Sequence, residues 1–204
     1  MGQAVATRAA TLARIAAGLQ TLSGWPGLPA LWFLTDAART PDPLAIAAQL
    51  PEGTAIVLRH YRAPDRAALA AALARIAGRR GLTLFVGADA ALASSVGAAG
   101  VHLPRWADDA SLRPLADLLV TASVHDAQEL ARRRDIADAL IVSPVFATAS
   151  HAGAPALGPA RLTEFVRAAG RPVIALGGIT ALNALDLRGT GVAGIAASGA
   201  FVED

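Results

Sequence analysis

Four histidines, two glycine-containing turns and several hydroxyl side chains are the groups of this 204-residue chain that could do chemistry. His125 directly follows Ser123 and Val124 at the end of an apolar run. An imidazole titrates near neutrality, so a histidine in that place can remove and return a proton. We therefore predict that His125 is a general acid and base, with Ser123 beside it as a substrate-binding residue. The spacing of the four histidines matches no known pattern of metal ligands, so no metal site is predicted.

The other three histidines each allow a bland interpretation beside a functional one. His102 lies inside an apolar run, where a hydrogen-bonded core residue is the expected role. His60 and His151 lie in predicted loops, where each either contacts a substrate or is merely solvated. We keep His60 and His151, together with the neighbouring Arg59, as candidate contacts for a bound substrate.

Two turns near the C-terminus predict a phosphate site. Gly177-Gly178 and Ser198-Gly199, the latter preceded by Ala197, each follow a short apolar run. Glycine lets backbone N–H groups approach phosphate oxygens closely, because it has no side chain in the way. Thr148 and Ser150, in the loop before them, can add two hydroxyl donors. A Gly-Gly pair alone is weak support, since tight turns use it constantly.

The composition excludes several classes of chemistry. All 18 basic residues are arginine, so a Schiff-base lysine and a P-loop lysine are both absent. The chain has no cysteine, which removes thiol nucleophiles, zinc–thiolate sites and disulfides. A formal charge of +2 and few aromatic residues give little reason to expect nucleic-acid binding. No apolar run is long enough for a transmembrane helix, so we expect a cytoplasmic protein without a membrane partner.

Eight short, nearly continuous apolar runs alternate with alanine-rich segments of helical periodicity. Such runs are typical of parallel strands that are covered on both faces. Eight strand–helix units predict a closed TIM (β/α)₈ barrel of the α/β class, with an open doubly wound sheet as the rival. The predicted strands are residues 31–35, 54–59, 82–86, 100–103, 118–123, 139–143, 172–176 and 192–196.

The whole chain is predicted to be a single barrel domain, with the barrel in residues 30–204. Residues 1–22 carry apolar side chains at helical spacing and are predicted to form a helix that caps the bottom of the barrel. Function in such barrels collects at the C-terminal ends of the strands, and a phosphate often binds after strands seven and eight. All four histidines and both glycine turns fall at those ends. The elements therefore bring the candidate residues to one mouth.

The sequence resembles the thiamine phosphate synthase/TenI superfamily over nearly its whole length, from Leu31 to Phe201. In order and spacing the matching set is specific. It comprises Leu34-Thr35-Asp36, Leu58-Arg59, Gly100–Leu103, Ser123-Val124-His125 with Glu129, Ser143-Pro144-Val145-Phe146-Ala147-Thr148, Leu157-Gly158, Ala175-Leu176-Gly177-Gly178-Ile179 with Asn183, and Gly194-Ile195-Ala196-Ala197-Ser198.

The resemblance implies two ligand half-sites, of which only one is intact here. The positions that hold a thiazole phosphate in the family persist at Thr148, Ser150, Gly177, Gly178, Ala197 and Ser198. The positions that hold a diphosphate and its Mg²⁺ depart from the family pattern. Arg-Glu-Lys is replaced by Arg59-His60-Tyr61, Asn-Asp-Arg by Gly87-Ala88-Asp89, a later aspartate by Ala107, and the lysine of Thr-X-Thr-Lys by His151.

These losses fall on one ligand. Burying a diphosphate without lysines or Mg²⁺ would cost several kcal/mol per unpaired charge. Arg59, Arg62 and Arg105 could replace part of the positive charge, but an arginine cannot replace a carboxylate that binds magnesium. Asp89 or Asp108 could bind Mg²⁺ if the loops shifted, which keeps the synthase open.

The resemblance therefore implies three alternatives. The preferred one is a thiazole tautomerase of the TenI type, an isomerase in which His125 transfers the proton and no cofactor is needed. The second is a thiamine phosphate synthase, a transferase that joins hydroxymethylpyrimidine pyrophosphate to a thiazole phosphate and requires Mg²⁺. The third is a binder of phosphorylated ligands without catalysis. The expected partner in each case is a phosphorylated thiazole, and the apolar surface of so small a barrel leaves a homodimer open.

Overall fold

Eight parallel strands close into a barrel in the order in which they occur along the chain. The computed structural model describes residues 2–107, 117–148 and 155–202. Strand β1 pairs with both β2 and β8, which excludes the open sheet. Each predicted strand is confirmed, with ends that agree to within two residues. The strands are β1 Leu31–Leu34, β2 Ala55–Leu58, β3 Thr83–Gly87, β4 Gly100–Leu103, β5 Leu119–Val124, β6 Ala139–Val142, β7 Val173–Leu176 and β8 Gly194–Ala197.

The strands are apolar throughout because both of their faces are buried. Alternate residues point into the barrel, where Trp32 packs against Phe85 with ring centroids 5.0 Å apart. The residues between them, such as Leu31 and Phe33, pack outward against the helices. The barrel interior is therefore a filled core, and ligands have room only at its mouth.

Several helices begin or end at residues that suit a helix terminus. Asp42, Asp89 and Asp126 accept hydrogen bonds from backbone N–H groups in the first turns of three helices. Gly81 and Gly170 end two others with φ values of 63° and 60°. The helices are α1 Gly2–Thr21, α2 Pro43–Ala47, α3 Arg66–Arg80, α4 Ala90–Ser95, α5 Ala127–Arg133 and α6 Gly158–Ala169, with 3₁₀ turns at Ala184–Leu187 and Gly199–Phe201.

Helix α1 lies along the outer wall of the barrel, so the prediction that it caps the bottom is wrong. It packs against β1, β8 and both 3₁₀ turns. Its buried side chains, among them Val5 and Leu12, belong to the outer apolar layer. Near the C-terminal end of α1, the Nε2 of Gln20 donates to the carbonyl oxygens of Leu28 and Ala193, which precede β1 and β8. Helix α1 therefore covers the outer wall at β1 and β8.

None of the helices in the described part of the chain combines the length and the apolar character needed to cross a bilayer.

Candidate active site

A cavity of about 270 Å³ opens at the C-terminal mouth of the barrel, between the loops that follow β1, β6, β7 and β8. Six of the residues predicted to bind substrate line it, namely Arg59, Thr148, Gly177, Gly178, Ala197 and Ser198. His60, Ser123 and His125 lie outside its lining. Ser150 and His151 lie outside the described residues. Asp36 and Arg39 also line the cavity, although neither was predicted from the sequence to bind substrate.

The two glycines after β7 are required by the close approach of the loop after β6. Their φ values are 101° and 63°, which side chains rarely adopt. A Cβ atom at Gly177 would lie 2.8 Å from the Cα of Pro144, and one at Gly178 would lie 2.9 Å from the carbonyl carbon of Phe146. Asn183 fixes the turn, because its Nδ2 donates to the carbonyl oxygen of Gly178. The floor of the cavity is therefore backbone, which suits a phosphate.

Arg59 places a positive charge beside this floor. Its Nε donates to the carbonyl oxygen of Thr35 at 2.9 Å, and its Nη2 donates to the Oγ of Ser198 at 3.2 Å. Its Nη2 also lies 3.5 Å from the carboxylate of Asp36. Burial lowers the pKa of Arg59, while the neighbouring Tyr61 and Asp36 act in the opposite direction. The guanidinium is thus held by three partners at the edge where a phosphate would lie.

Asp36 balances that charge in direct contact with the guanidinium. Burial alone would raise the pKa of its carboxyl group, but the pKa lies below its usual value. The backbone N–H groups of Arg39 and Ala38 donate to the carboxylate, and Arg59 attracts it. Asp36 therefore stays ionised and orients Arg59.

His60 and His102 are buried and neutral beside the mouth. His60 pairs through Nδ1 with the Oγ1 of Thr35 at 2.9 Å, and burial lowers its pKa. His102 lies between the hydroxyls of Thr121 and Ser123, at 3.0 and 3.1 Å. Burial, followed by nearby positive charges, lowers the pKa of His102 to about 3. His102 is therefore the hydrogen-bonded core residue that its sequence position predicts. Its Nε2 is hydrogen-bonded to the hydroxyl of Ser123.

His125 lies at the rim, one strand away from the cavity. Thr121 and Ser123 point into the barrel, so alternation along β5 directs His125 to the same side. The carbonyl oxygen of the preceding Val124 accepts a hydrogen bond from the backbone N–H of Ser143, and Ser143 lines the cavity. The His125 side chain is 17% exposed, with Nδ1 2.8 Å from the carboxylate of Glu129. A carboxylate only accepts hydrogen bonds, so neutral His125 carries its proton on Nδ1 and can accept another on Nε2.

The residues at two positions where the family pattern has diphosphate-binding residues, Tyr61 and Gly87, are in contact with each other. The ring of Tyr61 lies beside Gly87, where a Cβ would be 2.7 Å from its Cε1. Arg66 lies over the Tyr61 ring, with its Cζ 5.8 Å from the centroid, and donates to the carbonyl oxygen of Gly87. Trp106 packs edge-on against Tyr61 with centroids 5.3 Å apart. These side chains form a packed cluster.

Within the part of the chain that the structure describes, the side chains at this place do not form a binding site for the Mg²⁺ that the family pattern implies. Asp89 is engaged twice, by the Nη1 of Arg66 at 3.1 Å and by the backbone N–H of Leu92 at 2.9 Å. Ala107 has no carboxylate, and Asp108 lies outside the described residues. Within residues 2–107, 117–148 and 155–202, no three acidic or histidine side chains are grouped as metal ligands would be.

A closed (β/α)₈ barrel with a backbone-floored cavity at its mouth defines a TIM-barrel protein whose candidate site lies at the C-terminal ends of the strands. The sequence model for thiamine monophosphate synthase matches residues 31–201. This chain therefore belongs to the thiamine phosphate synthase/TenI family, as the resemblance implied.

Relatives agree with this assignment. A thiamine-phosphate synthase from Methanoculleus marisnigri is 35% identical over 185 residues, which are 84% of this chain and 87% of that protein. One from Herpetosiphon aurantiacus is 37% identical over 164 residues, which are 76% of this chain and 78% of that protein. The solved thiamine phosphate pyrophosphorylase from Pyrococcus furiosus superposes with a TM-score of 0.68 at 26% identity, covering 82% of this chain and 84% of that one.

The names of these relatives bear on the choice of reaction. They support a protein of thiamine biosynthesis, and they favour the alternative expectation, thiamine phosphate synthesis, over the preferred one. They carry no support for the isomerase. The departures at Tyr61, Gly87 and Ala107 belong to this chain, so the reaction has to be argued from its own residues.

Proposed function

We propose that this protein binds a singly phosphorylated thiazole at the mouth of the barrel and isomerises its ring. The cavity supports the binding, because the backbone at Gly177 and Gly178 and the charge of Arg59 line one small cavity. The hydroxyl of Ser198, which donates to the carbonyl oxygen of Leu34, accepts from Arg59 and holds it there. The choice of a thiazole as the ligand rests on the family, whose members include the thiamine-phosphate synthases named above. The single observation that carries the proposal is that Tyr61 lies against Gly87, at two positions where the family pattern has diphosphate-binding residues, whereas the cavity at Gly177 and Gly178 is open.

The chemistry proposed for His125 needs no second substrate. Its Nε2 removes the proton from the ring carbon that bears the carboxylate, and the same group returns a proton to the exocyclic carbon. The double bond moves into the ring, and substrate and product have the same atoms and charge. Aromatisation drives the reaction, so one general acid and base, worth about 10²–10⁴-fold in rate, is sufficient.

The second candidate is thiamine phosphate synthesis, which the names of the relatives favour. This reaction needs a place for a diphosphate, and Arg59, Arg62 and Arg105 are the cations that could neutralise it. Asp89 would first have to leave Arg66 and the start of α4. That rearrangement would also displace Tyr61 from the face of Arg66.

A single panel separates the candidates. Purified protein is incubated with the thiazole carboxylate phosphate, and the aromatic isomer is followed by absorbance and NMR. Wild type is expected to turn over without added metal, and His125→Gln is expected to bind the ligand without turnover. Thermal stabilisation by the ligand measures binding in both proteins.

The same panel contains the outcomes that contradict the proposal. Mg²⁺-dependent formation of thiamine phosphate from the pyrimidine diphosphate and the thiazole phosphate would establish the second candidate. If the wild-type protein binds the thiazole phosphate but forms neither the aromatic isomer nor thiamine phosphate, the protein is a non-catalytic binder. Absence of any thermal shift with the thiazole phosphate would refute the ligand itself.

A further inference from the structure

We propose that Glu129 and Arg105 are positioning residues, which together fix the proton of His125 on Nδ1 and aim its Nε2 at the substrate. The inference rests on the proposed function, in which His125 moves the proton. It adds two residues that do not touch the substrate and that act through His125. Part of its test uses the protein without substrate, so it can fail or succeed independently of the reaction.

The carboxylate of Glu129 holds His125 at two points. Its Oε2 accepts from the backbone N–H of His125 at 2.8 Å and from Nδ1 of the same residue, also at 2.8 Å. Two contacts to one oxygen fix both the position and the rotation of the imidazole. The side chain of Glu129 is only 6% exposed, so water competes little for the carboxylate.

Arg105 holds the other oxygen of the same carboxylate. Its Nε lies 2.7 Å from the Oε1 of Glu129, within the range of a charge-assisted hydrogen bond. Burying a carboxylate without a partner is unfavourable, so the contact with Arg105 compensates the burial of Glu129 and limits the rotation of its carboxylate. Arg105 itself is 63% exposed, and its Nη2 also lies 3.5 Å from the carboxylate of Asp126 at the start of α5.

One buried arginine, Arg133, binds both the segment that carries Arg105 and the strand that leads to His125. Arg133, fully buried on α5, donates to the carbonyl oxygens of Leu103, Pro104 and Arg105 in the loop after β4. It also donates to the carbonyl oxygen of Ser123, two residues before His125. The loop that carries Arg105 and the strand end that carries His125 therefore share one rigid anchor.

A purely structural role for Glu129 explains only part of this geometry. Glu129 is in the third position of α5, where a glutamate commonly accepts from the backbone that leads into the helix. That role accounts for the contact with the backbone N–H of His125. It accounts neither for the contact with Nδ1 nor for the ion pair with Arg105. A structural role predicts a change in thermal stability alone.

The first experiment reads the tautomer of His125 directly. Ring ¹⁵N–¹H spectra are recorded for ligand-free protein at a mildly alkaline pH, and His125 is assigned by its loss in His125→Gln. Wild type is expected to show a single form protonated at Nδ1. Glu129→Ala is expected to shift the population to the form protonated at Nε2, which an unconstrained imidazole prefers, and Glu129→Gln retains an acceptor and is expected to keep more of the wild-type form.

The second experiment separates kcat from KM. Glu129→Ala is expected to lower kcat by about 10²-fold, since the wrong tautomer forfeits most of the general base contribution, while KM changes less than about threefold. Arg105→Gln is expected to lower kcat by roughly three- to tenfold, and Arg105→Lys is expected to restore part of it because a charge returns. Arg161→Gln, in an exposed ion pair on α6, is the matched control and leaves both constants unchanged.

Two results would overturn the inference. One is a His125 that keeps its Nδ1 proton in Glu129→Ala, with the protein folded by circular dichroism. The other is a variant whose thermal stability falls while kcat stays at the wild-type value. If the wild-type protein shows no isomerisation, the proposed function fails, and the spectra of the ligand-free variants still decide whether Glu129 sets the tautomer.

Discussion

A Cβ atom at position 87 would lie 2.7 Å from the Cε1 of Tyr61, so the tyrosine ring occupies space that exists only because Gly87 has no side chain. Both residues depart from the family pattern, in which a lysine and an asparagine stand at these places. The two departures are therefore coupled by contact. Tyr61 also contacts Arg66 and Trp106, so an uncharged aromatic ring stands in a cluster at a position where the family pattern has a lysine.

The first prediction tests this coupling through stability. Gly87→Ala is expected to lower the free energy of unfolding by about 1–3 kcal/mol, the usual range for overpacking. Adding Tyr61→Ala is expected to recover part of the specific penalty, because the carbonyl oxygen of Leu58, 2.9 Å from the same Cβ, remains. Urea unfolding of the two single variants and the double variant gives the interaction energy.

A glycine in open space provides the control for that cycle. A Cβ atom added at Gly78, inside α3, would meet no atom of another element within 4 Å. Gly78→Ala is therefore expected to stabilise the helix by up to about 1 kcal/mol. Equal stability changes at positions 78 and 87, or strictly additive effects of Gly87→Ala and Tyr61→Ala, would contradict the contact.

The second prediction concerns the floor of the cavity. Gly178→Ala is expected to abolish the thermal shift caused by a thiazole phosphate, since the new Cβ would push the loop at Phe146 away. Gly189→Ala carries the same kind of strain, with φ at 79°, but has open space around it. It is expected to lose stability while the ligand-induced shift remains. A retained shift in Gly178→Ala would show that the phosphate binds elsewhere.

Much of this architecture is predictable from sequence because local rules decide it. Strands buried on both faces must be apolar throughout, as Ala55–Leu58 is, and left-handed glycines must end α3 and α6. The turn after β7 follows the same logic, because another part of the backbone approaches Gly177 and Gly178 so closely that only glycine fits.

The remainder depends on partners that are distant in sequence. The apolar stripe of α1 shows that one face is buried, but it does not show against which surface. Arg105 lies in a loop with no motif, and only the fold brings it to Glu129. The spacing of His125 and Glu129, four residues apart, is a signal that could have predicted their contact. The place of Asp36 beside Arg59 has no comparable local signal.

The third prediction concerns the charge at the edge of the cavity. Arg59→Met is expected to weaken binding of the thiazole phosphate by about tenfold or more, because a charge-assisted hydrogen bond to phosphate is lost. The affinity of wild type is expected to fall with added salt more steeply than that of the variant. Titration calorimetry at two salt concentrations measures both effects. Arg161→Met, on the exposed face of α6, controls for a general change in charge, and an effect of equal size there would refute a specific role for Arg59.

The fourth prediction follows from the neutral, buried His102. Its pKa is about 3 in the folded protein against 6.5 as the reference value, so below about pH 6.5 the unfolded chain binds a proton that the folded chain excludes. The free energy of unfolding is therefore expected to fall between about pH 6.5 and pH 3, with a contribution of up to about 1.4 kcal/mol per pH unit from this one group. His102→Gln keeps hydrogen-bonding atoms between Thr121 and Ser123 and is expected to lose that contribution. The lowered pKa of His60 adds a slope of the same sign to both proteins and cancels in the difference. Parallel stability curves for wild type and variant across this range would mean that His102 is charged in the folded protein.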